Sequence, residues 1–117
     1  MIDLIYYALV GAFFTHELDA VKRHEWRVLP VIRALPEKAA EQVFIWAHLP
    51  LFALLLWGGD GDPASDTRIG LAVFAIVHVG LHYLFRHHPA YEFNNASSWA
   101  LILLAGALGA IYLLCVT

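Results

Sequence analysis

From residue 96 to residue 117 the chain carries no charged side chain and no histidine. A stretch of that length and apolarity has one comfortable fold, a helix crossing a bilayer, which needs roughly 20 predominantly apolar residues. Its Ala105, Gly106, Gly109 and Ala110 form overlapping small-x-x-x-small pairs, a pattern that lets helix backbones approach closely. Residues 42–59 are uncharged but contain His48 and Pro50, and the missing proline N–H frees the carbonyl of Trp46 and favours a kink. Residues 69–85 contain His78 and His82 and run into Arg86-His87-His88-Pro89, where the proline stops the helix. Residues 4–14 are apolar but meet the polar group Thr15-His16-Glu17-Leu18-Asp19 at once, so that span crosses only if the group is lined by protein or lies at the interface. The expected fold is all-α: an integral membrane bundle of four transmembrane helices, with a short interfacial helix between the first and second. Residues 1–117 then form a single domain.

Composition agrees. Hydrophobic residues make up 61% of the chain and charged residues 15%, where a soluble domain is about half apolar and a quarter charged. The net charge of −3 and the lack of a basic run exclude a nucleic-acid partner. A single cysteine, Cys115, excludes an internal disulfide and a multi-cysteine zinc motif. Met1-Ile2-Asp3 supplies no basic segment, so the first apolar stretch reads as a retained helix, not a cleaved signal.

The connections fix an expected orientation. Residues 19–41 and 86–98 share one side of a four-span bundle and hold six of the seven Lys and Arg residues, while 58–67 is rich in Gly and Asp. The positive-inside rule then places the basic loops in the cytoplasm of a bacterial inner membrane, with both termini outside.

In that arrangement all seven histidines fall in the cytoplasmic half. His48 lies seven residues past Glu41, about 10 Å deep at 1.5 Å per residue, and His78 returns to a similar level. His78 and His82 are i,i+4 and project from one face; Glu41 and His48 share a face, as do Glu17 and His24 if the first helix continues. Ionisable groups at such depth are costly and mark functional sites. Imidazole and carboxylate together suit a divalent transition metal, one ion or two. The inner candidates are His16, Glu17, His48, His78 and His82. A shallower set draws on His24, Glu41, His87, His88 and Glu92, with Asp19 and Glu25 as partners fixing imidazole tautomers from behind. Plainer readings stand beside these: His48 alone is equally a packing residue, and His87-His88 equally a polar helix end.

Thr15-His16-Glu17-Leu18-Asp19-Ala20 and His24-Glu25-Trp26-Arg27, taken with Arg86-His87-His88-Pro89-Ala90-Tyr91-Glu92-Phe93-Asn94, resemble a family of small uncharacterised bacterial membrane proteins, similar to the group named for a His-x-x-Glu-Glu signature. That resemblance implies membrane location and no assigned activity. His78-x-x-x-His82 followed by His87-His88 is remotely similar to the histidine boxes of membrane hydroxylases and desaturases, which implies two irons and dioxygen chemistry on lipid chains. The chain departs from that pattern: it lacks a His-x-x-His-His box and is much shorter.

The leading functional expectation is a membrane-embedded metal-binding protein, an iron- or zinc-dependent oxidoreductase or related enzyme acting on a lipophilic small molecule from the bilayer at the cytoplasmic side. Glu17 would serve as ligand or general base. Alternatives are a metal carrier or sensor, a haem-binding electron carrier with His48 and His78 as axial ligands, and a non-catalytic assembly partner; a homodimer fits any of them. No glycine-rich phosphate loop or serine nucleophile elbow occurs.

Overall fold

A computed structural model describes the whole chain, Met1–Thr117. It contains α1 (Ile2–Lys22), two 3-10 turns (Glu25–Arg27 and Ile32–Ala34), α2 (Glu37–Trp57), α3 (Asp66–Phe85) and α4 (Ala96–Val116), with no strand. The helix starts follow local chemistry. Ser65 and Asn95 cap α3 and α4 by accepting from the backbone N–H of Arg68 (3.3 Å) and Ser98 (2.8 Å). Pro36 immediately precedes α2, and Pro50 sits inside that helix without ending it. The interfacial helix expected between the first two spans is two single 3-10 turns.

Three helices, α2, α3 and α4, are long and apolar enough to cross a membrane. The expectation of four is corrected at α1, where Asp3, His16, Glu17, Asp19 and Lys22 interrupt the apolar sequence of a helix that has the length. Helix α1 nevertheless buries more residues than any other. It lies antiparallel along α4: Tyr6 meets Tyr112 at one end (centroids 5.9 Å apart), and Ser98 Oγ donates to Asp19 at the other (2.6 Å).

Helix α4 packs on α3 through its small residues. A Cβ on Gly109 would stand 2.6 Å from the Ala72 carbonyl oxygen, and one on Gly106 would stand 2.5 Å from Val79 Cγ2. Both positions need glycine because the helices touch there. Ala105 is buried in the same seam, whereas Ala110 faces outward.

The buried residues form two apolar clusters. One, with Leu9, Val10, Phe13, Ala72 and Ala105, fills the middle of the bundle; the other, with Trp26, Phe44, Tyr91, Phe93 and Ile102, lies under the 23–36 and 86–95 connections. A polar knot closes the opposite end. Arg68, 1% exposed, donates from Nε to the Gly59 carbonyl and from Nη1 to Asp3 (both 2.6 Å), and its guanidinium lies 4.5 Å from the centre of the Tyr6 ring. Tyr6 donates to the Leu55 carbonyl (2.8 Å) and Tyr112 to that of Pro63.

Candidate metal centre

Helix α1 carries His16 on its buried face, and α3 carries His78 and His82 one turn apart on its own. Both helices run the same way from the Asp3–Arg68 pair, which sets these at one level. The His16 ring centre lies 4.6 Å from that of His78 and 5.2 Å from that of His82, and the α3 pair are 4.4 Å apart. Glu25 enters from the loop. One donor atom from each of His16, Glu25, His78 and His82 lies within 4.8 Å of all the others, a group that could hold a metal ion.

Two features of this group are unusual for a packed interior. Both ring nitrogens of His16 and Oε2 of Glu25 are buried without any hydrogen-bond partner, although such groups are nearly always paired. The Nε2 atoms of His78 and His82 face each other at 3.1 Å. Two nitrogens bound at about 2.1 Å to one ion in tetrahedral or octahedral geometry stand about 3.0–3.4 Å apart, so the spacing fits chelation as well as a hydrogen bond. On its other side His82 Nδ1 meets the Tyr91 hydroxyl at 2.9 Å. With Nδ1–H donating to that oxygen, the Nε2 lone pair is free for an ion.

The electrostatics also favour a cation. Burial, with the Glu17 carboxylate nearby, pushes the Glu25 carboxyl up to about 8, the response of an acid whose charge lacks compensation. Burial and Glu25 together push the Tyr91 phenol upward as well.

Glu17 and His48 form a separate pair beside the group. His48 Nδ1–H donates to the Phe44 carbonyl at 2.5 Å, while Nε2 hydrogen-bonds to Glu17. A carbonyl can only accept, so Nδ1 keeps its hydrogen and a single proton is shared between Nε2 and the carboxylate. Both His48 nitrogens are thereby engaged, which leaves neither for an axial haem bond. The other Glu17 oxygen is 3.8 Å from His16 Nε2.

Of the inner candidates, His16, His78 and His82 thus converge, and Glu17 and His48 flank them. The shallower set does not come together. Helix α1 stops at Lys22, and His24 takes a left-handed conformation (φ 56°) that ends the shared face expected for Glu17 and His24. His24 instead meets Glu92 at 2.8 Å, and Glu92 also lies 3.7 Å from Arg27. His88 contacts Arg33 and accepts from the Ala90 N–H, His87 is exposed, and Glu41 is half-buried and outside the group. Asp19 is spent on Arg23 and Ser98. Glu25, expected to act from behind an imidazole, stands within the group itself. The turn at His24 reverses the chain and aims Glu25 inward, which periodicity could not show.

Tyr91 and Phe93 were hidden for a similar reason. They lie two residues apart between α3 and α4 and both point inward, and Phe93 packs on His16 and His82 with centroids 5.8 and 4.7 Å away. Their i,i+2 spacing amid polar neighbours was the available signal. A cavity of about 460 Å³ adjoins the group; its walls include Phe13, Phe44, Leu51, Phe74, Leu81 and Phe85, and its polar lining includes Glu17, Glu25, His78 and His82.

The model of a family of unknown function, DUF6713, matches residues 2–117. The chain belongs to that family. The match agrees with the expected placing in an uncharacterised family and shows no likeness to histidine-box hydroxylases. No curated protein and no solved structure matches the chain.

Proposed function

We propose that this family member is a membrane metalloprotein that holds one transition-metal ion through His16, His78, His82 and Glu25 and uses it on a lipophilic small molecule at the cytoplasmic side. The observation that carries the reading is the set of buried, unpartnered donor atoms on His16 and Glu25 beside two imidazoles at chelating distance. Leaving such atoms unmet costs about 1–3 kcal/mol each, and a cation meets them together.

Three imidazoles and a carboxylate suit iron or zinc. Four protein donors leave room in a five- or six-coordinate shell, and the adjoining cavity supplies apolar access to it. A bound ion would supply Lewis-acid or redox chemistry there. Glu17 lines the cavity and shares a proton with His48 behind it, which supports the expected general-base role for Glu17. Translocation of the ion is disfavoured by the middle of the bundle, where Leu9, Val10, Ala72 and Ala75 separate the histidine end from Arg68 and offer no ladder of ligands. The basic loops, with Arg23, Arg27 and Arg33 beside the site, support a cytoplasmic placement of that end.

Elemental analysis of the purified protein, followed by its absorption spectrum, tests the reading. About one equivalent of iron or zinc is expected, and the spectrum separates them. Protein that contains no transition metal and takes up none on incubation with ferrous or zinc salts overturns it; a Soret band would replace it with a haem protein.

A further inference from the structure

Beyond the metal group, a second cavity of about 530 Å³ lies between α2 and α3 toward the other end of the bundle, with Leu54, Gly70 and Thr67 among its walls. Phe13, Leu51 and Phe74 line both cavities. The two therefore adjoin as successive chambers of one groove along the α2/α3 seam, with those three side chains at the boundary between them.

The groove has a regular origin. Gly70, Phe74, His78, Leu81 and Phe85 on α3 recur at intervals of four and three residues, one helical face. Phe44, Leu51 and Leu55 on α2 form the opposing face, in the same row as His48. Phe74, Leu54 and Leu81 remain 42, 50 and 41% exposed, so the groove opens sideways from the bundle. Between two helices apolar enough to span a membrane, sideways means toward lipid tails.

We infer that this groove binds the extended alkyl chain of a single-tailed amphiphile, with one end of the chain at the histidine group and the rest directed past Phe74 toward Gly70. The inference deepens the proposed function and rests on it only for which end of the chain is presented to the metal. Dimensions select the occupant. A helix is about 10–12 Å across with its side chains and does not fit chambers of about 460 and 530 Å³; both volumes fall within the range of about 300–1,000 Å³ usual for small-molecule sites. From His78 to Thr67 the helix rises about 16 Å. An extended saturated chain advances about 1.25 Å per carbon, given bonds near 1.5 Å, so the groove measures about 13 carbons.

Gly70 provides the test, because a Cβ there meets nothing within 4 Å. Gly70→Leu projects into the distal chamber without disturbing packing, and Gly70→Ala is its control. Binding of saturated primary alcohols, from about 8 to about 18 carbons, would be followed on the purified protein by native mass spectrometry, with metal content measured in parallel. In the unsubstituted protein affinity should rise with chain length and level off near the estimated length. Gly70→Leu should weaken the longest alcohols by about 15- to 60-fold, the loss of two or three buried methylenes, and leave the shortest unchanged. Phe74→Ala should widen the boundary between the two chambers, which Phe74 lines on both sides, and favour the longer alcohols. Equal weakening at every length, no effect of Gly70→Leu, or a dimer that excludes the alcohols overturns the inference. His78→Ala separates the two readings: lost metal with the length dependence intact leaves the groove assignment standing, and retained metal without length dependence removes the groove alone.

Discussion

The two ends of the bundle both bury polar side chains, and they treat them in opposite ways. At one end Arg68 is surrounded by acceptors: the Gly59 carbonyl, Asp3 and the face of Tyr6. The tyrosines of that end each donate to a backbone carbonyl. At the other end His16 and Glu25 keep buried atoms with no partner, and His78 and His82 turn the same nitrogen toward each other. One chain, one set of helices and one apolar core separate a closed network from an open one. A closed network holds helices together, while an open one requires something from outside the chain. The Arg68 end is therefore read as structural and the histidine end as the functional centre.

The largest effect expected from this contrast is on metal. His78→Ala should abolish stoichiometric binding while circular dichroism still reports a helical protein, because the Arg68 knot and the α3/α4 seam are untouched; retained stoichiometry would contradict the assignment. Arg68→Met should do the reverse. It strips donors from Gly59 and Asp3 and should cost about 3 kcal/mol in unfolding free energy with metal content unchanged. Loss of metal in that variant would show that the two ends are not independent.

Gly59→Ala sharpens the structural side. An added Cβ would stand 2.2 Å from the Tyr6 hydroxyl and 2.5 Å from the Leu55 carbonyl, and should cost about 2 kcal/mol by overpacking. Tyr91→Phe sharpens the other side. Removing the hydroxyl that orients His82 should weaken metal affinity by roughly tenfold without lowering the melting temperature of the metal-free protein; competition with a chelator measures it. The smallest effect is reserved for Gly11→Ala, where nothing lies within 4 Å. There a gain of about 0.5–1 kcal/mol from helix propensity is expected, and a loss would reveal a contact absent from the single chain.

Much of the architecture was legible. The uncharged 96–117 segment became α4, and its glycines became the seam with α3. The i,i+4 spacing placed His78 and His82 on one face, because helical period survives any tertiary arrangement. The site was only half legible. His16 joined the α3 pair, but Glu25, the fourth donor, lies beyond the end of α1, after a residue whose positive φ redirects the chain. Past that point periodicity carries no information. His24, Glu92 and His88 looked like further ligands because composition counts residue types; the fold pairs His24 with Glu92 and His88 with Arg33 at its surface. The first apolar residues were likewise read as a fourth span, on condition that the polar group after Phe14 is lined by protein or lies at the interface, and the charges of α1 set it apart from the other three helices.

The sequence by itself determined where the apolar helices fall and which histidines shared a face, since these depend on neighbours within a turn or two. Only the tertiary structure decided which donors are satisfied and which are left open. Hydrogen-bond satisfaction is settled between residues far apart in the chain, such as Glu17 with His48 or His82 with Tyr91 across a turn, and no local pattern encodes the atom that ends up without a partner.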